Sequence, residues 1–269
     1  MKKIVGLIIC CLLFSCASPS KKFSLQAREM GFTEVLADTN LFSHRMYSND
    51  LASKSPTQPS LHVYLDGDGT PWKNQRWISN DPTSRNHLII NMMAQDKAPA
   101  ILLGRPCYYG LSQVPNCHYK YWTSHRYSKE VVSSMSYALN NWLKHHAYSQ
   151  VVLIGYSGGG SLAMLMAPKI NADLTVITVA ANLDIKAWSQ FHNYSSLFGS
   201  LNPTDYSLPK AIRQFHLYGG RDDVVPEFIV KKIAKNNNQA RFIAYDQFGH
   251  HCCWGDEWEK ILAKIPVYK

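Results

Sequence analysis

The sequence predicts an α/β protein: a mostly parallel central sheet flanked by helices, carrying a cap or lid segment. Three observations predict it. Short runs rich in Val, Ile and Leu recur at 61–65, 100–104, 151–155, 174–180, 213–218 and 240–245. Several are apolar throughout rather than alternating, as strands buried on both faces must be. Between them lie segments whose apolar residues recur at helical spacing. At 269 residues the chain can enclose one sizeable core, so a single domain over 31–269 is expected.

The N-terminus stands apart from that domain. Lys2 and Lys3 precede an apolar run, Ile4 to Phe14, too short to span a bilayer as a lasting helix. The run ends in Leu13-Phe14-Ser15-Cys16, followed by Ala17-Ser18-Pro19-Ser20. It resembles a bacterial lipoprotein signal over residues 1–16, which implies that Cys16 is acylated and the protein anchored in the cell envelope, on the periplasmic side or the cell surface. An ordinary secretory signal cut nearby is the alternative, and both imply export. Residues 17–30 then read as a polar tether.

The remaining elements follow in order. A first strand is expected at 42–47 and a second at 61–65, then a helix at 86–95 and a strand at 100–104. Cys107 and Cys117 flank a loop holding Gly110 and Pro115. Export permits disulfides, and a bridge there adds roughly 3 kcal/mol by loop entropy, less any strain. Val131, Val132, Met135, Leu139, Trp142 and Leu143 mark a helix over 129–146, with Ser128 to cap it and Lys144 to His146 suited to its end. Strand 151–155 leads into a helix at 159–171. Pro226 suits the first turn of a helix at 226–237, and a last helix is expected at 255–265. Residues 182–210 break the rhythm: they are long, aromatic and weakly periodic, and read as a cap over the site.

The chemistry collects at strand ends, where ligands bind in such sheets. After strand 151–155 comes Gly155-Tyr156-Ser157-Gly158-Gly159. Gly-x-Ser-x-Gly alone is a weak signal, but a strongly apolar strand precedes it and a helix follows. A serine hydroxyl needs a base, and the base needs an orienting carboxylate. Asp222 and Asp223 follow strand 213–218; His250 and His251 follow strand 240–245.

With the order Ser157, Asp222, His250, the chain resembles the α/β-hydrolase superfamily over about 60–265. The resemblance implies an α/β-hydrolase fold and a serine hydrolase acting on acyl esters or thioesters of small molecules or lipids, with no cofactor. It implies Ser157 as nucleophile, Asp222 as triad acid and His250 as base, with Asp223 and His251 as alternatives. It also implies an oxyanion hole from the N–H groups of Gly158 and Asp68, Gly67 being the alternative to Asp68.

Other readings compete. Asp66-Gly67-Asp68-Gly69-Thr70, after an apolar strand, resembles the nucleophile loop of Mg²⁺-dependent haloacid dehalogenase phosphatases, with Asp66 attacking phosphate. That reading leaves Ser157, His250 and the glycine turn unexplained. A calcium loop fails because its sixth position is Pro71 and its twelfth Trp77. A zinc site of His250, His251, Cys252 and Cys253 asks four consecutive residues to form a tetrahedron, and a Cys252–Cys253 bond is expected to be strained. A non-catalytic envelope lipoprotein of the same fold is a further alternative. The net charge of +9, or +7 without Lys2 and Lys3, is scattered. With no basic stripe interleaved with aromatics, nucleic acid is not an expected partner; an anionic membrane surface is.

Overall fold

The computed structural model describes residues 17–53 and 60–267; the signal segment and Cys16 lie outside the described residues. The chain opens with α1 (Pro19–Glu29), β1 (Thr33–Asp38), β2 (Ser43–Ser48), α2 (Asp50–Ser53) and β3 (Ser60–Leu65). A small hairpin, β4 (Trp72–Lys73) and β5 (Trp77–Ile78), precedes α3 (Leu88–Ala94), β6 (Ala100–Leu103) and α4 (Lys129–His146). Then follow β7 (Gln150–Tyr156), α5 (Gly158–Met166), β8 (Asp173–Val179), α6 (Ile185–Phe191), β9 (Arg213–Gly219), α7 (Glu227–Lys231), β10 (Arg241–Tyr245) and α8 (Trp254–Lys264).

Eight strands form one sheet in the order β1-β2-β6-β3-β7-β8-β9-β10. β2 pairs antiparallel with both β1 and β6; every other pairing is parallel. Burial follows position. The central strands β3, β7, β8 and β9 are buried nearly end to end, whereas the residues of β1 and β10, at the two edges, are half-buried or exposed. Two apolar layers cover the sheet, α4 and α5 on one face, α1, α3 and α8 on the other.

Several elements form for local reasons. Ser128 accepts the N–H of Val131 and caps α4, whose apolar stripe lies in the core; Ala147, left-handed at φ 53°, ends it. The order of the parallel strands places the carboxyl ends of β3, β7, β9 and β10 along one rim, where the motifs sit.

The expected tether is a correction. Residues 19–29 are a helix, begun by Ser18 as cap and Pro19 in its first turn. Phe23 and Ala27, one turn apart, are fully buried, and the Phe23 ring packs on Tyr47 and Tyr109. Two apolar side chains are enough here because they close a gap in an existing aromatic layer. β1 and the β4–β5 hairpin are further elements that periodicity did not signal. Residues 182–210 hold α6 and a short turn of helix at Pro203–Asp205. Cys107 and Cys117 are joined, their Cα atoms 5.5 Å apart.

Candidate active site

β7 ends at Tyr156 and α5 begins at Gly158, so Ser157 alone makes the turn. Its backbone sits at φ 52°, ψ −123°, a region that serine rarely adopts. The turn is held by the Ser157 N–H, which donates to the Val179 carbonyl at 2.9 Å, and by Gly160, which donates back to the Ser157 carbonyl at 3.0 Å. The glycines are needed for close approach: a Cβ at Gly155 would collide with the backbone of Gly159, and one at Gly159 with the carbonyl of Leu65.

Three distant side chains meet at this turn. His250 Nε2 lies 3.1 Å from Ser157 Oγ, and His250 Nδ1 lies 2.9 Å from Asp222 Oδ2. Asp222 and His250 are both buried. The other oxygen of Asp222, Oδ1, accepts the N–H groups of Val224 and Val225 at 2.9 and 2.7 Å. The turn after β9 therefore fixes the carboxylate and leaves one oxygen for the imidazole. Asp223 is exposed instead. His251 pairs with the Tyr156 hydroxyl and the Asn86 amide, and burial together with the neighbouring His250 lowers its pKa.

The loop after β3 runs beside Ser157; a Cβ on Gly67 would touch the Ser157 Cβ at 3.4 Å. Gly67 donates its N–H to Asp66 Oδ1 at 2.8 Å, so that N–H is engaged within the loop. Among the described residues, no hydrogen bond is formed to the N–H of Asp68 or of Gly158. The Asp68 side chain is held from three sides. Arg105 Nη2 approaches Oδ1 at 2.9 Å, Arg126 Nη1 approaches Oδ2 at 2.8 Å, and the Tyr127 hydroxyl donates to the same carboxylate at 2.6 Å. The Asp68 carbonyl accepts from the Tyr108 hydroxyl. Arg105 is 2% exposed and lies between the rings of Tyr108 and Tyr127. Burial alone would raise the Asp68 pKa; Arg126 and Arg105 outweigh it and hold the carboxyl below its usual range. This cluster packs against the start of α5, since a Cβ on Gly158 would strike both the Asp68 carboxylate and the Tyr127 hydroxyl.

No protein-family model and no curated protein sequence matches the chain. Solved structures do match. An esterase from Pyrococcus furiosus superposes with a TM-score of 0.60 at 12% identity, over 88% of this chain and 93% of that one. An alpha/beta fold family hydrolase from Bacillus anthracis superposes with a TM-score of 0.51 at 14% identity, over 86% of this chain and 96% of that one. This chain has the α/β-hydrolase fold. The fold explains why Ser157, Asp222 and His250 come together, since its topology sets the ends of β7, β9 and β10 on one rim.

Set on the α/β-hydrolase frame, the competing loops take other places. Asp66, the nucleophile of the phosphatase reading, is buried, with Oδ1 on Gly67 and Oδ2 accepting the Tyr109 hydroxyl at 2.9 Å. Burial pushes its pKa up to about 6. The four consecutive residues of the zinc reading all have other partners: Cys252 and Cys253 are bonded to each other, His250 is taken by Ser157 and Asp222, and His251 by Tyr156. Among the described residues, no group of three or more His, Cys, Asp or Glu is placed to hold a metal.

The segment 182–210 ties both flanks of the rim together. Trp188 Nε1 donates to the Val224 carbonyl at 2.9 Å, and His192 Nε2 donates to it at 2.7 Å, next to Asp222. At its other end, Leu201 donates to the Tyr127 carbonyl, and Ser200 bonds to Tyr127 and Ser124. Arg105, Arg126 and Tyr127 lie in segments rich in aromatic residues that carry no local mark of this role. Their common partner, Asp68, lies far away in the chain, and no local pattern joins them.

Proposed function

We propose that this protein is an exported, lipid-anchored serine hydrolase that cleaves acyl esters or thioesters through an acyl-enzyme. The observation that carries the reading is the unbroken hydrogen-bond chain from Ser157 through His250 to Asp222. The esterase named above adds weight to ester substrates, small or lipidic.

In the first half-reaction Ser157 Oγ attacks the acyl carbonyl and its proton passes to His250 Nε2. Asp222 Oδ2 keeps the other imidazole nitrogen protonated and stabilises the charged ring. The N–H groups of Gly158 and Asp68 receive the oxyanion; Gly67 is set aside because its N–H is bonded to Asp66. Collapse breaks the ester bond, His250 returns its proton to the leaving oxygen or sulfur, and the acyl group stays on Ser157. Water then attacks with His250 as base, releasing the carboxylic acid. Cys16 carries the acyl anchor that holds the enzyme in the envelope, and residues 182–210 act as the cap.

A fluorophosphonate probe tests the chemistry. Wild type is labelled at Ser157, and Ser157→Ala loses labelling and about 10⁴–10⁶-fold in turnover of a soluble acyl ester. A wild-type chain that takes no probe and turns over no ester of any chain length is instead a non-catalytic lipoprotein of this fold.

A further inference from the structure

The β4–β5 hairpin stands outside the main sheet and outside the proposed chemistry. It carries Trp72 and Trp77, 42% and 63% exposed, with Lys73 and Arg76 exposed between them. The Arg76 guanidinium lies over the Trp77 ring at 5.4 Å. The hairpin is fastened at its base. Thr70 donates its N–H to the Pro82 carbonyl at 2.8 Å, and Ser79 donates its N–H to Pro71 at 2.9 Å. Ser79 Oγ donates to the Asp81 carbonyl, and the Asp81 carboxylate accepts the N–H of Ser20 in the first turn of α1.

The start of the described fold is thereby tied to the hairpin. A shallow cavity of about 320 Å³ lies at that start, lined by Ala17, Pro19, Lys22, Arg85 and His87. Lys22 and Arg85 are exposed. Asp81 is the one acid between Gly69 and Gln95, and it is engaged by Ser20 and Thr83. The face thus combines two exposed indoles with uncompensated cations.

We propose that this face, the β4–β5 hairpin with the start of α1, docks on an anionic phospholipid bilayer. Trp72 and Trp77 enter the headgroup layer, and Lys22, Lys73, Arg76 and Arg85 pair with lipid phosphates. Indole rings settle at that depth because they are apolar in body and polar at the N–H. Each cation near an anionic surface adds to the attraction, and a single membrane signal is marginal where two suffice. Charge decides against a second copy as occupant, since two such faces would bring their cations together. Ala17 follows Cys16 directly, so an acyl anchor there would hold this same face to the bilayer. That detail rests on the export reading; the surface does not. Docking would also turn the loop of Asp68, which runs straight into the hairpin, toward the lipid.

The test mixes the purified full chain, as its host processes it, with phosphatidylcholine vesicles with or without phosphatidylglycerol. Flotation gives association, and brominated lipids report the depth of the indoles. Phosphatidylglycerol vesicles should quench wild-type emission, and high salt should relieve the quenching. The quenching should disappear in W72F/W77F. K73E/R76E should weaken the part of binding that depends on phosphatidylglycerol by about a hundredfold. Tyr137→Ala, an exposed aromatic on α4, should change nothing. Equal quenching in wild type and W72F/W77F overturns the proposal. So does a phosphatidylglycerol-dependent part of binding that K73E/R76E leaves unchanged, or a solution dimer that W72A/W77A dissolves. Ser157→Ala should float like wild type, so the outcome is read apart from catalysis.

Discussion

Two aspartates flank Ser157, Asp222 buried and Asp68 half-buried, and they answer to opposite partners. Asp222, after β9, faces His250, which can gain and lose a proton. Asp68, after β3, faces Arg105 and Arg126, which stay charged at any working pH. Asp222 divides its oxygens between two backbone N–H groups and the imidazole. Asp68 gives both of its own to fixed donors, and its backbone, not its carboxylate, is the part proposed to meet the reaction. One acid steadies a proton carrier. The other steadies a stretch of chain. In the proposed mechanism the same side chain at the same rim serves turnover in one place and architecture in the other.

Conservative amides should separate the two. Asp222→Asn can still bond the turn but offers the imidazole the wrong pattern of donor and acceptor. It should lower kcat by about 10⁴-fold and leave the urea midpoint nearly unchanged. Asp68→Asn leaves two buried guanidiniums without a counter-charge, so it should lower stability by roughly 3–5 kcal/mol. Equilibrium unfolding reads this directly. An Asp68→Asn protein as stable as wild type would show that the cluster does not hold the loop. If the loop also shifts its N–H away from the oxyanion, kcat falls by about 10²–10³-fold at constant KM. Tyr127→Phe removes one hydrogen bond to the same carboxylate and keeps both arginines. A smaller loss is expected, about 1.5–3 kcal/mol, with activity nearly intact.

The contrast also separates what the sequence makes legible from what it hides. The Ser157 turn, the Asp222 turn and the His250 loop each announce themselves locally, as an apolar strand running into small and polar residues. Parallel topology then does the assembling, because strand ends share a rim. The Asp68 cluster has no such local mark. Its arginines and tyrosines sit in segments that look like an aromatic loop, and only the folded sheet brings them to the carboxylate. Asp66 to Gly69 could for that reason be read as a phosphatase loop. α1 was hidden differently: Phe23 and Ala27 are too few apolar residues to signal a helix among lysines. The layer of Tyr47 and Tyr109 that receives them is assembled from elsewhere in the chain.

The smallest effect belongs to Asp66, the third acid of the rim, which has neither an imidazole nor a close guanidinium on its carboxylate. Burial disfavours its charged form, and its pKa stands at about 6 against an ordinary value of 3.8. The folded chain thus binds this proton more tightly than the unfolded chain does. Its contribution to stability is full below the unfolded pKa and is lost as the pH rises through the folded one. Asp66→Asn cannot ionise; its amide oxygen can still accept from Gly67 in the place of Oδ1, and its NH2 can donate to the Tyr109 hydroxyl oxygen. Relative to wild type it should gain a few degrees of melting temperature on going from pH 4 to pH 8, with most of the gain between about 4 and 6. Thermal melts across that range check it. A difference that stays flat with pH would mean that Asp66 does not titrate there, and that Tyr109 and Gly67 hold its charge as firmly as the arginines hold that of Asp68.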